Sequence, residues 1–214
     1  MIEKLSVEDD GADRIHHAFE QCIVAGDLVV FPADGLYGVA CDPKNEEAVR
    51  RIHRLKGRAE GKPSAVMYFS LPAMREILDS LTPLVRAIAS ALLPGPVTLV
   101  IDNPEHRYAI ACGENPDRLG VRFIEGPLWG VVVPVFQTSA NPSGEPAPAR
   151  FEDIPGVILD GVELAVDGGE LTGKPSTVID TSEVEAGGPW RVLREGGLSY
   201  QDLEKKLTGL SLGG

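Results

Sequence analysis

Two short polar islands carry most of the chemistry this chain could perform. Lys56-Gly57-Arg58 sets two cations at i, i+2. Ser139-Ala140-Asn141-Pro142-Ser143-Gly144 sets a hydroxyl and an amide at the same spacing, followed by a Pro-Ser-Gly turn. Arg presents a planar fork to two oxygens and Lys a point charge, so the pair suits phosphate or carboxylate groups. A polar, glycine-bearing turn adds backbone N–H donors for the same oxygens. These residues predict an anionic substrate.

The rest of the composition narrows that reading. A net charge of −12 disfavours broad adhesion to nucleic acid or to an anionic membrane. Within it, Arg50, Arg51, Arg54, Lys56, Arg58 and Lys62 form one basic cluster, which fits a small anion better than a long polyanion; the plain alternative is a solvated helix face. Cys22, Cys41 and Cys112 form no C-x-x-C pair and are expected as reduced, semi-buried thiols. His16, His17, His53 and His106 lack zinc-ligand spacing, so no protein-held metal is expected; magnesium would arrive on nucleotide phosphates. No apolar run is long enough to span a bilayer, and the acidic start does not read as a signal region, which predicts a cytosolic protein.

The elements that must position the islands follow from periodicity. With 214 residues, 43% of them hydrophobic, the chain supports one sizeable core. An amphipathic helix is predicted over 10–25, a buried strand over 28–31, and a sheet-end loop over 32–38. Asn45 reads as the N-cap of a helix with Gly57 as its stop, which places Lys56 and Arg58 at a helix C-terminus. A strand is predicted over 65–69. Two helices follow across 71–93, broken near Thr82-Pro83, and Pro94-Gly95-Pro96 stops them before a strand at 97–101. Further strands are predicted at 119–123, 131–136, 157–159, 164–166, 177–179 and 191–193, then a closing helix at 200–207 and a frayed tail at 208–214. Helix and strand alternate early and strands dominate later. That predicts a single α/β domain over 1–207, with a twisted mixed sheet flanked by helices. The common nucleotide loops and the G-x-S-x-G elbow are absent from the sequence.

The order of the islands resembles the YrdC/Sua5/YciO family. Five stretches carry the resemblance: Pro32 to Val39 with its Tyr37-Gly38; Lys56-Gly57-Arg58; Pro94-Gly95-Pro96-Val97-Thr98; Ser139 to Gly144; and Ser176-Thr177-Val178-Ile179-Asp180. Val121-Arg122 and Leu193-Arg194-Glu195-Gly196 are weaker echoes. The resemblance implies a fold with an open concave groove, in the short, single-domain form. It implies a nucleotidyltransferase that condenses L-threonine, bicarbonate and ATP (with Mg2+) into threonylcarbamoyl-AMP and pyrophosphate, for modification of adenosine 37 of tRNA by separate transferase components. By resemblance, Lys56, Arg58, Ser139 and Asn141 are the catalytic candidates. Asp34, Tyr37, Thr98 and Arg122 are candidates for substrate or nucleotide binding, as are Ser143, Ser176, Thr177 and Arg194. Three departures fall on the substrate side: Ala33 and Gly35 stand where the family usually has threonines, Pro63-Ser64 replaces a Pro-Leu, and the stretch between Arg122 and Ser139 is too short for the helix many members carry there. They motivate two alternatives, a non-catalytic paralogue that binds nucleotide or double-stranded RNA, and a carbamoyl-adenylate enzyme with another acceptor.

Overall fold

A computed structural model describes residues 2–59, 61–208 and 210. Most of the predicted tail at 208–214 lies outside the described residues. The chain runs β1 (Glu3–Ser6), α1 (Ala12–Ala25), β2 (Val29–Pro32), β3 (Tyr37–Cys41), α2 (Glu46–Lys56), β4 (Ala65–Tyr68), α3 (Leu71–Ser80) and α4 (Pro83–Leu92). It continues with β5 (Val97–Asp102), β6 (Arg118–Phe123), β7 (Val135–Ser139), α5 (Gly156–Leu159), β8 (Leu164–Asp167), β9 (Thr177–Asp180), β10 (Arg191–Arg194) and α6 (Tyr200–Leu207). The ten strands form one mixed sheet in the order β1-β8-β2-β3-β7-β4-β6-β5-β9-β10.

Four expectations are corrected here. Residues 157–159 form a one-turn helix, because Pro155 and Gly156 start a turn that a three-residue apolar run does not override. The strand expected at 131–136 begins only at Val135, after Pro134, and runs to Ser139. The loop expected over 32–38 is a tight hairpin: only residues 33–36 lie between the strands, with Pro32 ending β2 and Tyr37 and Gly38 already in β3. The three cysteines are buried rather than semi-buried.

The two faces of the sheet are covered unequally. One face, with Val39, Val66, Leu99, Val121, Phe136 and Ile179, packs against α2, α3, α4 and α6 and is closed throughout. On the other face α1 covers only the β1-β8-β2-β3 end and its neighbours, where Phe19, Phe31 and Phe69 meet edge to face at 5.4–5.9 Å. Period-2 alternation leaves the same-side residues of β6, β5 and β9 without a helix above them. That uncovered stretch is a concave groove.

Candidate functional site

The groove is a cavity of about 610 Å³. Its floor is the outward side of one row of paired strands, Gln137–Ala65–Gly120–Val100–Asp180 across β7, β4, β6, β5 and β9. Its charged lining comprises Arg58, Arg118, Arg122, Lys174 and Arg194 against the single carboxylate of Asp180. A cationic cavity in a chain of net charge −12 is a local device for an anion.

Helix α2 delivers the first island. Asn45 caps it by accepting the Ala48 N–H (3.1 Å), with Glu46 and Glu47 in the first turn. Gly57 ends it at φ 58°, in the left-handed region, and the Arg58 N–H returns to His53 O at 2.9 Å. The reversal sends the two cations to different places. Lys56 is 3% exposed, and its Nζ donates to the backbone carbonyls of Ser139 and Asn141. Burial, and then Arg58, push its pKa down to about 8. Arg58 lines the cavity; Nη2 donates to Pro63 O (2.8 Å), while Nε is buried with no partner among the described residues. Burial lowers its pKa as well.

The second island is braced from within. Asn141 Nδ2 donates to Pro142 O (2.8 Å) and Glu145 O (2.7 Å), leaving Oδ1 buried and without a partner among the described residues. The Pro-Ser-Gly turn does not offer all its donors, since the Ser143 N–H is taken by Lys56 O at 2.7 Å. Ser143 itself is exposed and outside the cavity lining; Ser139 is in it.

Across the groove, Thr98 Oγ1 and Ser176 Oγ lie 2.8 Å apart, and Arg194 donates to Ser176 O (2.9 Å) and Oγ (3.0 Å). Arg122, 6% exposed, stands between the two sides. Its hydrogen bonds to Ala33 O, Gln137 Oε1 and Asp34 Oδ2 are long, 3.3–3.4 Å, and its Nε has no partner among the described residues. Burial pulls its pKa down to about 10, with Asp34 opposing and Arg194 adding to the fall. A buried guanidinium held this loosely is poised for a further anion.

The structure therefore brings Arg58, Thr98, Arg122, Ser139, Ser176 and Arg194 into one cavity, with Tyr37 at its edge. Lys56 and Asn141 sit directly behind Ser139. Asp34 is a partner of Arg122, not a lining group, and is held at φ 78°, unusual for a residue with a side chain. Tyr37 is fully buried; its hydroxyl donates to Gly169 O (2.8 Å) and accepts the Gly168 N–H (2.9 Å), which makes it a brace. Thr177 points the other way, its Oγ1 donating to Leu198 O and accepting from Gly196 and Leu198.

Sequence reasoning missed Arg118, Lys174 and Gln137, which reach the cavity from a strand start, a loop and a strand centre and share no motif. The basic cluster on α2 also changes meaning. Arg50 pairs with Glu46, Arg51 with Glu163 and Arg54 with Glu47, so this face is charge-balanced and gives little purchase to a polyanion.

Residues 21–196 match the family model Sua5_yciO_yrdC, described as "Telomere recombination". The threonylcarbamoyl-AMP synthase of Pyrococcus abyssi is 31% identical over 186 residues, covering 84% of this chain and 53% of that protein. The threonylcarbamoyl-AMP synthase of Xanthomonas euvesicatoria pv. vesicatoria is 29% identical over 182 residues, covering 81% of this chain and 93% of that protein. A crystal structure of P. abyssi Sua5 complexed with L-threonine superposes with a TM-score of 0.82 at 29% identity, over 97% of this chain and 61% of that one. The chain thus spans about half the length of the Pyrococcus relative and nearly all of the Xanthomonas one.

Proposed function

Because the chain belongs to the Sua5/YciO/YrdC family, we propose that it is a threonylcarbamoyl-AMP synthase, making threonylcarbamoyl-AMP and pyrophosphate from L-threonine, bicarbonate and ATP. The observation that carries this reading is the cavity's five cations against one carboxylate, on the uncovered part of the sheet face. The amine of threonine and bicarbonate form a carbamate with loss of water. A carbamate oxygen attacks the α-phosphorus, the bond to the β-phosphate oxygen breaks, and pyrophosphate leaves with the electron pair. Such a transfer needs positioning and charge neutralisation rather than a covalent protein nucleophile.

In this reading Arg58, Arg194 and Ser176 hold phosphate oxygens, and Arg122, the most buried of the cations that line the cavity, takes the charge that builds between carbamate and α-phosphate. Lys56 shapes the Ser139–Asn141 turn through its carbonyls and adds charge from behind. Magnesium enters with ATP as part of the substrate; among the described residues no three His, Cys, Asp or Glu side chains converge as ligands. The product feeds modification of adenosine 37 in tRNA through a separate transferase, in the cytosol. No helix among the described residues is long and apolar enough to cross a membrane.

Gly35 favours a second reading of the acceptor. A Cβ there would collide with the backbone carbonyl of Lys174 and lie 2.8 Å from Thr172 Oγ1, so this site cannot carry a threonine at 35. Pyrophosphate release with Mg-ATP and bicarbonate, with and without L-threonine, tests both. Threonine-dependent release supports the synthase. Release with another amino acid only moves the assignment to that acceptor, and none with any acceptor rejects the enzyme.

A further inference from the structure

Where the 33–36 turn meets β7, the wall of the cavity is made by Gln137. The side chain is 8% exposed and lines the groove. Its partners in the neighbouring strands are Ala40 and Ala65, too small to cover it. A Cβ on Gly38 would fall 2.8 Å from Gln137 Nε2 and 2.9 Å from the Ala33 Cβ, so the amide rests on bare backbone and abuts Ala33. Its Oε1 accepts from Arg122 Nη1 at 3.3 Å, which sets the orientation of the amide. The two N–H donors of Nε2 are left without a hydrogen bond to a described residue. The polar side chains of the turn itself are committed: Asp34 is turned to Arg122, and the Tyr37 hydroxyl is held by residues 168 and 169. Position 33 brings only a methyl group, and Gly35 has no room for a side chain against Lys174 O.

An amide with open donors and an occupied oxygen answers a lone pair on a substrate oxygen. That oxygen does not belong to a phosphate held by Ser176, because four strand spacings, about 19 Å, separate β7 from β9. It belongs to the acceptor. A half-enclosed donor left unpaired weakens binding, so the amide also tells a hydroxyl from a methyl group of the same size. We propose that Gln137 determines acceptor specificity by donating from Nε2 to the side-chain oxygen of a β-hydroxy amino acid. The inference rests on the synthase reading and deepens it, since a turn with no hydroxyl at 33 or 35 obtains its donor from β7 instead. The contact from Gln137 Oε1 to Arg122 then ties acceptor recognition to the cation that faces the reacting carbamate.

The test is steady-state pyrophosphate release by the full chain with Mg-ATP and bicarbonate, before and after Gln137→Met. The acceptors are L-threonine, L-valine, L-serine and L-alanine. The first pair exchanges a hydroxyl for a methyl group, and the second removes the hydroxyl. The wild type should favour threonine over valine, and serine over alanine, by at least about tenfold in kcat/KM. Met matches Gln in length and has no donor, so Gln137→Met should bring both ratios within about threefold of one. ATP affinity, measured by calorimetry without an acceptor, should stay within about threefold of wild type, because the lost donor faces the acceptor. A wild-type ratio near one in either pair overturns the assignment without any variant. So does a Gln137→Met protein in which all four acceptors are slowed in proportion, which would make Gln137 only a support for Arg122. No release with any acceptor rejects the synthase reading and this inference with it, whereas release that ignores the side-chain oxygen rejects only the role of Gln137.

Discussion

Strands β5 and β9 have two sides that do different work. Leu99 and Ile179 face the helices and are fully buried, while Thr98, Val100, Val178 and Asp180, one residue away, face the groove. The alternation of a strand lets four consecutive residues serve stability and binding in turn. It follows that stability and ligand affinity should separate cleanly along a single strand. Leu99→Ala should cost about 2–5 kcal/mol of unfolding free energy, as loss of a large buried side chain does. Val100→Ala, on the half-open side, should cost less than about 1 kcal/mol. Urea unfolding of both variants measures this; equal losses would mean that the groove face is packed rather than open.

The contrast sharpens at Arg122, which is as buried as the core but belongs to the groove. Among the described residues its donors meet only long contacts, and one of them meets none. Replacing a buried, poorly satisfied charge with an apolar side chain of similar length relieves a desolvation penalty. Arg122→Met should therefore leave stability unchanged or raise it, while Asp34, 32% exposed at its side chain, stays hydrated. Nucleotide affinity should fall ten- to a hundredfold, the loss of about 1.5–3 kcal/mol expected for one charged hydrogen-bonding group. The opposite pattern, a drop in melting temperature with unchanged ATP binding, would make Arg122 a structural residue.

The same contrast explains what the sequence made legible. Helix α2 was readable to the residue because its signals are local: Asn45 caps it, acids fill its first turn, and Gly57 must adopt a left-handed conformation. The paired helices α3 and α4 were equally clear from their prolines. Strand β1, with Glu3, Lys4 and Ser6, has almost no apolar signal and exists because β8 pairs with it. Strand β3 was hidden by the glycines and proline that precede it, a tertiary outcome of pairing with β2 and β7. The site divides likewise. Motif residues were found, but the motif did not reveal that Arg58 lines the cavity while Lys56 turns to backbone carbonyls, or that Thr177 faces the core. Lys174 and Arg118 come from distant positions that only the fold brings to the groove.

Lys56 gives the smallest effect and the finest test of that division. Its pKa of about 8 lies well below the ordinary lysine value because burial penalises the cation and Arg58 repels it. The unfolded chain holds that proton more tightly than the folded one, so between about pH 8 and the unfolded pKa the unfolded state binds more protons. Stability attributable to Lys56 then rises with pH across that window. Anion binding runs the other way. The cation attracts phosphate while it is charged, and that attraction fades as pH climbs above about 8. Because Lys56 acts from behind Ser139, ATP affinity should fall only severalfold between pH 7 and 9.5, and a bound triphosphate should move the midpoint above 8. Lys56→Met should flatten both trends. Titrations of ATP into wild type and variant, beside thermal melts at the same pH values, measure the two signs together. Affinity and stability that decline together in the wild type would show that Lys56 does not stand between the core and the cavity.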